Sequence, residues 1–111
     1  MSRSVVFLIV FLLSVVSSLD AAVYKGQQVF TRECIKCHTI CQEFVAKKTK
    51  IEWKNLMKDK GKPLADLHLK NQKAKKSYKY FKSKKFTKKS KHLKQFLVEY
   101  AEDSGKVPAC N

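Results

Sequence analysis

The sequence predicts an all-α fold, a small helical domain preceded by an N-terminal leader. Three observations predict it. After the leader, apolar residues recur in segment after segment at helical spacing. The pentapeptide Cys34-Ile35-Lys36-Cys37-His38 sets two thiols three positions apart with an imidazole beside the second. And 111 residues at 44% hydrophobic content leave, once the leader is set aside, a body whose own apolar core is marginal. C-x-x-C-H reads as a c-type haem attachment site, because each thiol can add to one haem vinyl group while the imidazole reaches the iron from the proximal side. One such motif means one haem c, and a bound haem is a large apolar body that fills a core of this size.

Other uses of the same residues are weaker. A zinc site could draw on Cys34, Cys37, Cys41 and either His38 or Cys110, but a structural zinc module pairs two separated ligand couples and one couple is visible. A thioredoxin-like dithiol needs a βαβ pattern beside it, and the flanks read as helix. A purely structural pair of disulfides is the third alternative.

Residues 1–21 have the grammar of a secretory signal peptide. Arg3 is the positive n-region, Val5 to Val16 an apolar stretch interrupted by Ser14, and Ser17 to Ala21 the exit, with cleavage expected after Ala21. Cleavage one residue later would put Asp20 three positions before the cut, where a charge is disfavoured. The apolar run is short for an uncleaved anchor. Residues 22–111 form the domain. Bacterial c-type haem attachment takes place outside the cytoplasmic membrane, so leader and motif together point to the periplasm.

The first helix of the domain carries Val23, Tyr24, Gln27, Val29 and Phe30. Gly26 and Phe30 share a face at i,i+4, where the glycine lets another backbone come close and the phenyl fills space beside it. Tyr24-Lys25-Gly26-Gln27-Gln28-Val29-Phe30 leading into Cys34-Ile35-Lys36-Cys37-His38-Thr39 resembles the N-terminal helix of the class I cytochromes c. Leu93, Phe96 and Leu97, with Tyr100 beyond, resemble their C-terminal helix, which crosses the first helix at its glycine. SYKYFKSKKF and KHLKQFLVEYAEDSGKVPAC resemble small monohaem cytochromes exported by Campylobacterota. The resemblance covers the two ends and not the middle: no proline follows closely on His38, and no methionine follows Met57, whereas the family usually takes a distal methionine from the loop before the last helix.

In the middle, Trp53, Leu56 and Met57 share a helical face opposite Lys54 and Lys58. Gly61-Lys62-Pro63 is expected to stop that helix, with Pro63 in the first turn of the next, which presents Leu64 and His68 at i,i+4 with Leu67 beside them. From Lys70 to Lys94 there are twelve lysines and no acid. Ala74, Tyr78 and Phe81 share a face there, which predicts an amphipathic helix with a dense ammonium surface. The last helix is expected over Ser90 to Asp103, ended by Ser104-Gly105 and the Pro108 tail.

His68 is the expected distal ligand, since it lies on an apolar face after a helix break and far along the chain from His38; His92, Met57, a lysine or an open site are the alternatives. His92 lies at the edge of the stripe committed to Gly26, and Met57 precedes the segment from which the family draws its ligand. Cys41 and Cys110 are left over by the motif and are expected to pair in an oxidising compartment; two free thiols, or a Cys110 link between chains, are the alternatives.

The net charge of +15 is almost wholly lysine, since Arg3 and Arg32 are the two arginines, and it bears on partners and association rates. Export disfavours nucleic acid, and ring-stacking readers of nucleic acid need exposed aromatics. The expected partners are acidic redox proteins, such as a membrane oxidase or reductase, with anionic lipid headgroups a secondary surface and Lys82, Lys84 and Lys85 as docking residues. The function expected from the residues is that of a one-electron carrier and not an enzyme. A haem-based ligand sensor with an open distal site and a non-haem polycationic interaction protein are the alternatives.

Overall fold

The computed structural model describes residues 20–108 and Cys110, and every regular element among them is helical. The expected signal peptide lies, apart from its last two residues, outside the described residues. Residues 20–29 form α1, which ends in a π-turn over Phe30–Cys34 closed by Ile35 N–H donating to Phe30 O at 3.1 Å. A short helix α2 follows at Cys41–Val45. α3 spans Lys50–Leu69, a 3-10 helix Gln72–Ser77 leads into α4 at Tyr78–Phe81, α5 spans Lys84–Glu99, and a last 3-10 turn occupies Glu102–Ser104. Among the described residues no helix is long and apolar enough to cross a membrane.

Local chemistry sets the boundaries. Thr49 and Glu52 form a reciprocal capping box that starts α3, and Asp103 accepts from the Lys50 N–H at 2.9 Å, so a carboxylate also faces the positive end of that helix. α3 is broken by non-helical backbone at Lys58–Gly61, where Asp59, Lys60 and Gly61 all have positive φ (50°, 57° and 79°). The break therefore begins three residues before the expected stop at Gly61, and Pro63 stands in the first turn of the second limb. At Gly61 the chain has no room for a side chain, since an added Cβ would lie 2.6 Å from the Phe86 ring.

The run from Lys70 to Lys94 is not the single amphipathic helix that its spacing suggests. Ser83 takes an extended conformation (ψ 153°) and its hydroxyl accepts from Phe86 N–H, so a new helix starts there and Phe81 and Phe86 turn to pack on each other, ring centroids 4.9 Å apart. In consequence the last helix begins six residues before Ser90 and ends at Glu99, four before the expected Asp103.

The core sits where the two ends of the domain meet. Phe30, Val45, Trp53, Phe86, Leu93, Phe96 and Leu97 are fully enclosed. α5 passes α1 at Gly26 so closely that an added Cβ would lie 2.0 Å from the His92 carbonyl oxygen, as expected for a glycine crossing. The C-terminal tail folds back on α2: Gln42 donates to Pro108 O, and the Cys41 and Cys110 sulfurs lie at disulfide distance with Cα atoms 6.1 Å apart.

Candidate functional site

The pentapeptide begins inside the π-turn and continues as a tight coil in which Cys37 N–H and His38 N–H both donate to Cys34 O. A π-turn inserts an extra residue into helical backbone and is frequent at functional sites, because it re-aims the side chains that follow. Here it leaves Cys34 half-buried and Cys37 exposed, both as free thiols. Burial pushes the Cys34 thiol up to about 12, with the charges of Glu33 and Cys37 adding to the effect.

His38 lies face to face with Phe44 of α2, ring centroids 3.9 Å apart and planes 26° from parallel. Its basicity is lowered, first by burial and then by the nearby charges of His68 and Lys47, which favours the neutral imidazole that binds metals. Phe44 is held in turn by Phe30 and Trp53, and Trp53 is anchored by an indole N–H bond to Val45 O at 2.9 Å.

His68 reaches the same place from the second limb of α3. Its Nδ1 lies 2.8 Å from Leu64 O; as a donor there it leaves Nε2 with a free lone pair, the second-shell arrangement common among ligating histidines. Phe81 of α4 stacks on the ring at 4.2 Å and 28°. The two imidazole centroids stand 6.2 Å apart with their planes at 88°. Two imidazoles that bind one first-row metal ion from opposite sides through bonds of about 2.0–2.1 Å put their ring centres roughly 6.3 Å apart.

Between and around these rings is a cavity of about 490 Å³. It falls inside the roughly 300–1,000 Å³ of small-molecule and cofactor sites. Its walls are Phe30, Phe44, Trp53, Leu64, Phe81, Leu93 and Leu97, with Cys34 and Cys37 on one side. The exposed lining residues Lys36, Asn71, Lys73 and Lys76 make a polar, cationic mouth. Tyr80 also lines it, and burial, then Cys34 and Glu33, raise its phenol well above the usual range. An apolar hollow with two thiols, two imidazoles 6.2 Å apart and a basic rim fits a haem: a flat apolar macrocycle with two vinyl groups, an iron that takes two further ligands, and two carboxylates. Among the described residues no three His, Cys, Asp or Glu side chains cluster as an ion held by protein alone would need. A haem brings four nitrogen ligands of its own and asks the chain for two.

Of the residues singled out from sequence, Cys34, Cys37, His38 and His68 meet at this cavity. Met57 and His92 do not line it. Met57 is buried, with its methyl near Gly61, and His92, whose backbone carbonyl meets α1 at Gly26, has its Nδ1 buried without a hydrogen-bond partner. Lys82, Lys84 and Lys85 are exposed but none lines the cavity, and Lys85 is engaged by Glu33 at 2.9 Å. That carboxylate also lies 3.8 Å from Lys36, so the lysine segment finds an acid on the π-turn that its own sequence lacks. The stacking partner Phe44 carries no sequence signal beyond being an aromatic near the motif, whereas Phe81 is legible as an apolar position but not as a plate against a histidine.

Comparison with protein-family models, with curated proteins and with solved structures finds no match.

Proposed function

We propose that the chain is a small monohaem c-type cytochrome, a carrier of single electrons between redox partners, with His38 and His68 as the two axial ligands. The observation that carries this reading is the convergence of the attachment motif and a second histidine on one apolar cavity, with the imidazoles spaced as a shared iron requires. Bound there, a haem supplies an iron that takes up and releases one electron at a time. The chain supplies the rest. Cys34 and Cys37 would hold the haem through its vinyl groups, each thiol contributing its sulfur to one vinyl carbon and its hydrogen to the other, so tethering would consume no oxidant. His38 and His68 present lone pairs, the phenyl and indole walls exclude water, and Lys36, Lys73 and Lys76 leave the mouth positive. The arrangement suits holding and exposing a redox centre.

Export to the periplasm and docking to acidic redox proteins belong to the same proposal. They rest on the leader grammar and on the +15 charge.

The test is to produce the protein in a host with cytochrome c maturation machinery. The expected product keeps its haem stain after denaturation, has a two-thioether pyridine haemochrome spectrum, is low-spin in both oxidation states, and lacks the near-infrared band of methionine-ligated ferric haem. Cys34→Ala or Cys37→Ala should give a one-thioether product or none, and His68→Ala should open the reduced protein to carbon monoxide at neutral pH. A colourless folded product, or spectra unchanged in both cysteine variants, overturns the proposal.

A further inference from the structure

The ring planes of His38 and His68 lie at 88° to each other with their centroids 6.2 Å apart, and each ring is backed by its own phenyl plate. We infer that Phe44 and Phe81 are positioning residues that hold the two axial imidazoles perpendicular, and so set the electronic structure of the iron between them; the inference rests on the proposed haem ligation.

The physical argument starts from the imidazole π system, which overlaps metal d orbitals in the direction normal to the ring. Two parallel imidazoles act on the same d orbital and split the iron's two axial π orbitals. Two crossed imidazoles act on one orbital each and leave the pair nearly equal in energy. A ferric low-spin iron with its single vacancy in a near-degenerate pair keeps large orbital angular momentum. Its electron paramagnetic resonance spectrum then shows one highly anisotropic low-field feature instead of the three-line rhombic pattern of parallel ligands.

An unconstrained imidazole turns about its metal bond at little cost, so a fixed crossing angle needs a device on each side. His38 is stacked on Phe44, which Phe30 and Trp53 hold in place. His68 is stacked on Phe81, which is itself wedged edge-on between Tyr80 and Phe86 at 5.3 and 4.9 Å. The Leu64 carbonyl bond at Nδ1 fixes a second point of the His68 ring. Both plates come from helices of four or five residues that have little reason to be helical alone and are placed by packing.

The experiment is low-temperature electron paramagnetic resonance of the ferric protein, with Phe81→Leu, Phe44→Leu and the conservative Phe81→Tyr. Wild type and Phe81→Tyr should show the single low-field signal. Phe81→Leu or Phe44→Leu should move intensity to the rhombic pattern while the visible spectrum stays low-spin and bis-nitrogen, a split that loss of stability alone would not produce. A rhombic wild-type spectrum, which needs no variant to observe, overturns the inference and leaves the ligation standing. A wild-type protein that is high-spin or methionine-like in the visible overturns the ligation itself. An unchanged low-field signal in both leucine variants removes the phenyl plates from the explanation.

Discussion

A few side chains carry this fold out of proportion to their size, and Gly26 is the plainest. An alanine there would gain about 1 kcal/mol of helix propensity in an isolated helix. In the protein its methyl would sit 2.0 Å from the His92 carbonyl oxygen and 2.7 Å from Phe96 Cβ, both fixed parts of α5, so the helices must separate. Overpacking of this kind costs about 1–3 kcal/mol, and Gly26→Ala should lower the urea midpoint accordingly; a midpoint that rises would mean that the helix gain prevails and the crossing gives way freely. The spacing of Gly26 and Phe30 makes this contact legible in the chain. The partner atom is not, because a backbone carbonyl leaves no trace in a residue string.

At the scale of elements, the left-handed stretch Asp59–Gly61 turns α3 so that one helix serves both the core, through Trp53 and Met57, and the cavity, through Leu64 and His68. Its residues should respond to substitution with opposite signs. Gly61→Ala meets both a φ of 79° and the Phe86 ring, and should destabilise by about 1–3 kcal/mol. Lys60→Gly relieves a left-handed conformation that costs an L-residue about 1–2 kcal/mol, at some loss of unfolded-state entropy, and should be neutral or stabilising. Thermal unfolding of the two variants decides it; the same sign for both would refute the strain argument. Gly61-Lys62-Pro63 announces a break, since both residue types punctuate helices. Nothing announces left-handed Asp59 and Lys60, which lead into Gly61 where Met57 and Phe86 pack close. The lysine segment shows the converse: periodicity over Ala74, Tyr78 and Phe81 is real, but Ser83 is a cap, and a cap inside a periodic run ends it. His68 was readable as an apolar-face histidine after a break; that it would face His38 depends on the bend, a tertiary fact.

Taken whole, the molecule is a basic body with its cavity mouth among the lysines. Electron exchange with an acidic partner should slow as salt rises from about 10 to 300 mM, since steering of this kind raises encounter rates by about 10 to 10³. Charge reversal at Lys73 and Lys76, on the mouth, should reduce the low-salt rate more than reversal at Lys82, Lys84 and Lys85; equal effects would make the field, and not the mouth, the determinant. The Cys41–Cys110 link closes a loop across 69 positions, worth about 4 kcal/mol in the chain-entropy picture, and Cys110→Ser should lose stability of that order in denaturant titration. Intact mass after alkylation without reductant checks the link itself, where two blocked thiols beyond those of the motif would refute it. The same link sorts the thiols of the chain. Four cysteines can pair completely in three ways, and the fold completes none of them: it brings Cys41 to Cys110 and leaves the two motif cysteines unjoined. The surroundings of the half-buried Cys34 hold its thiol well above the usual range, which makes that sulfur a slow attacker. Tertiary structure thus separates a sulfur pair spent on rigidity from a pair left as thiols at the cavity.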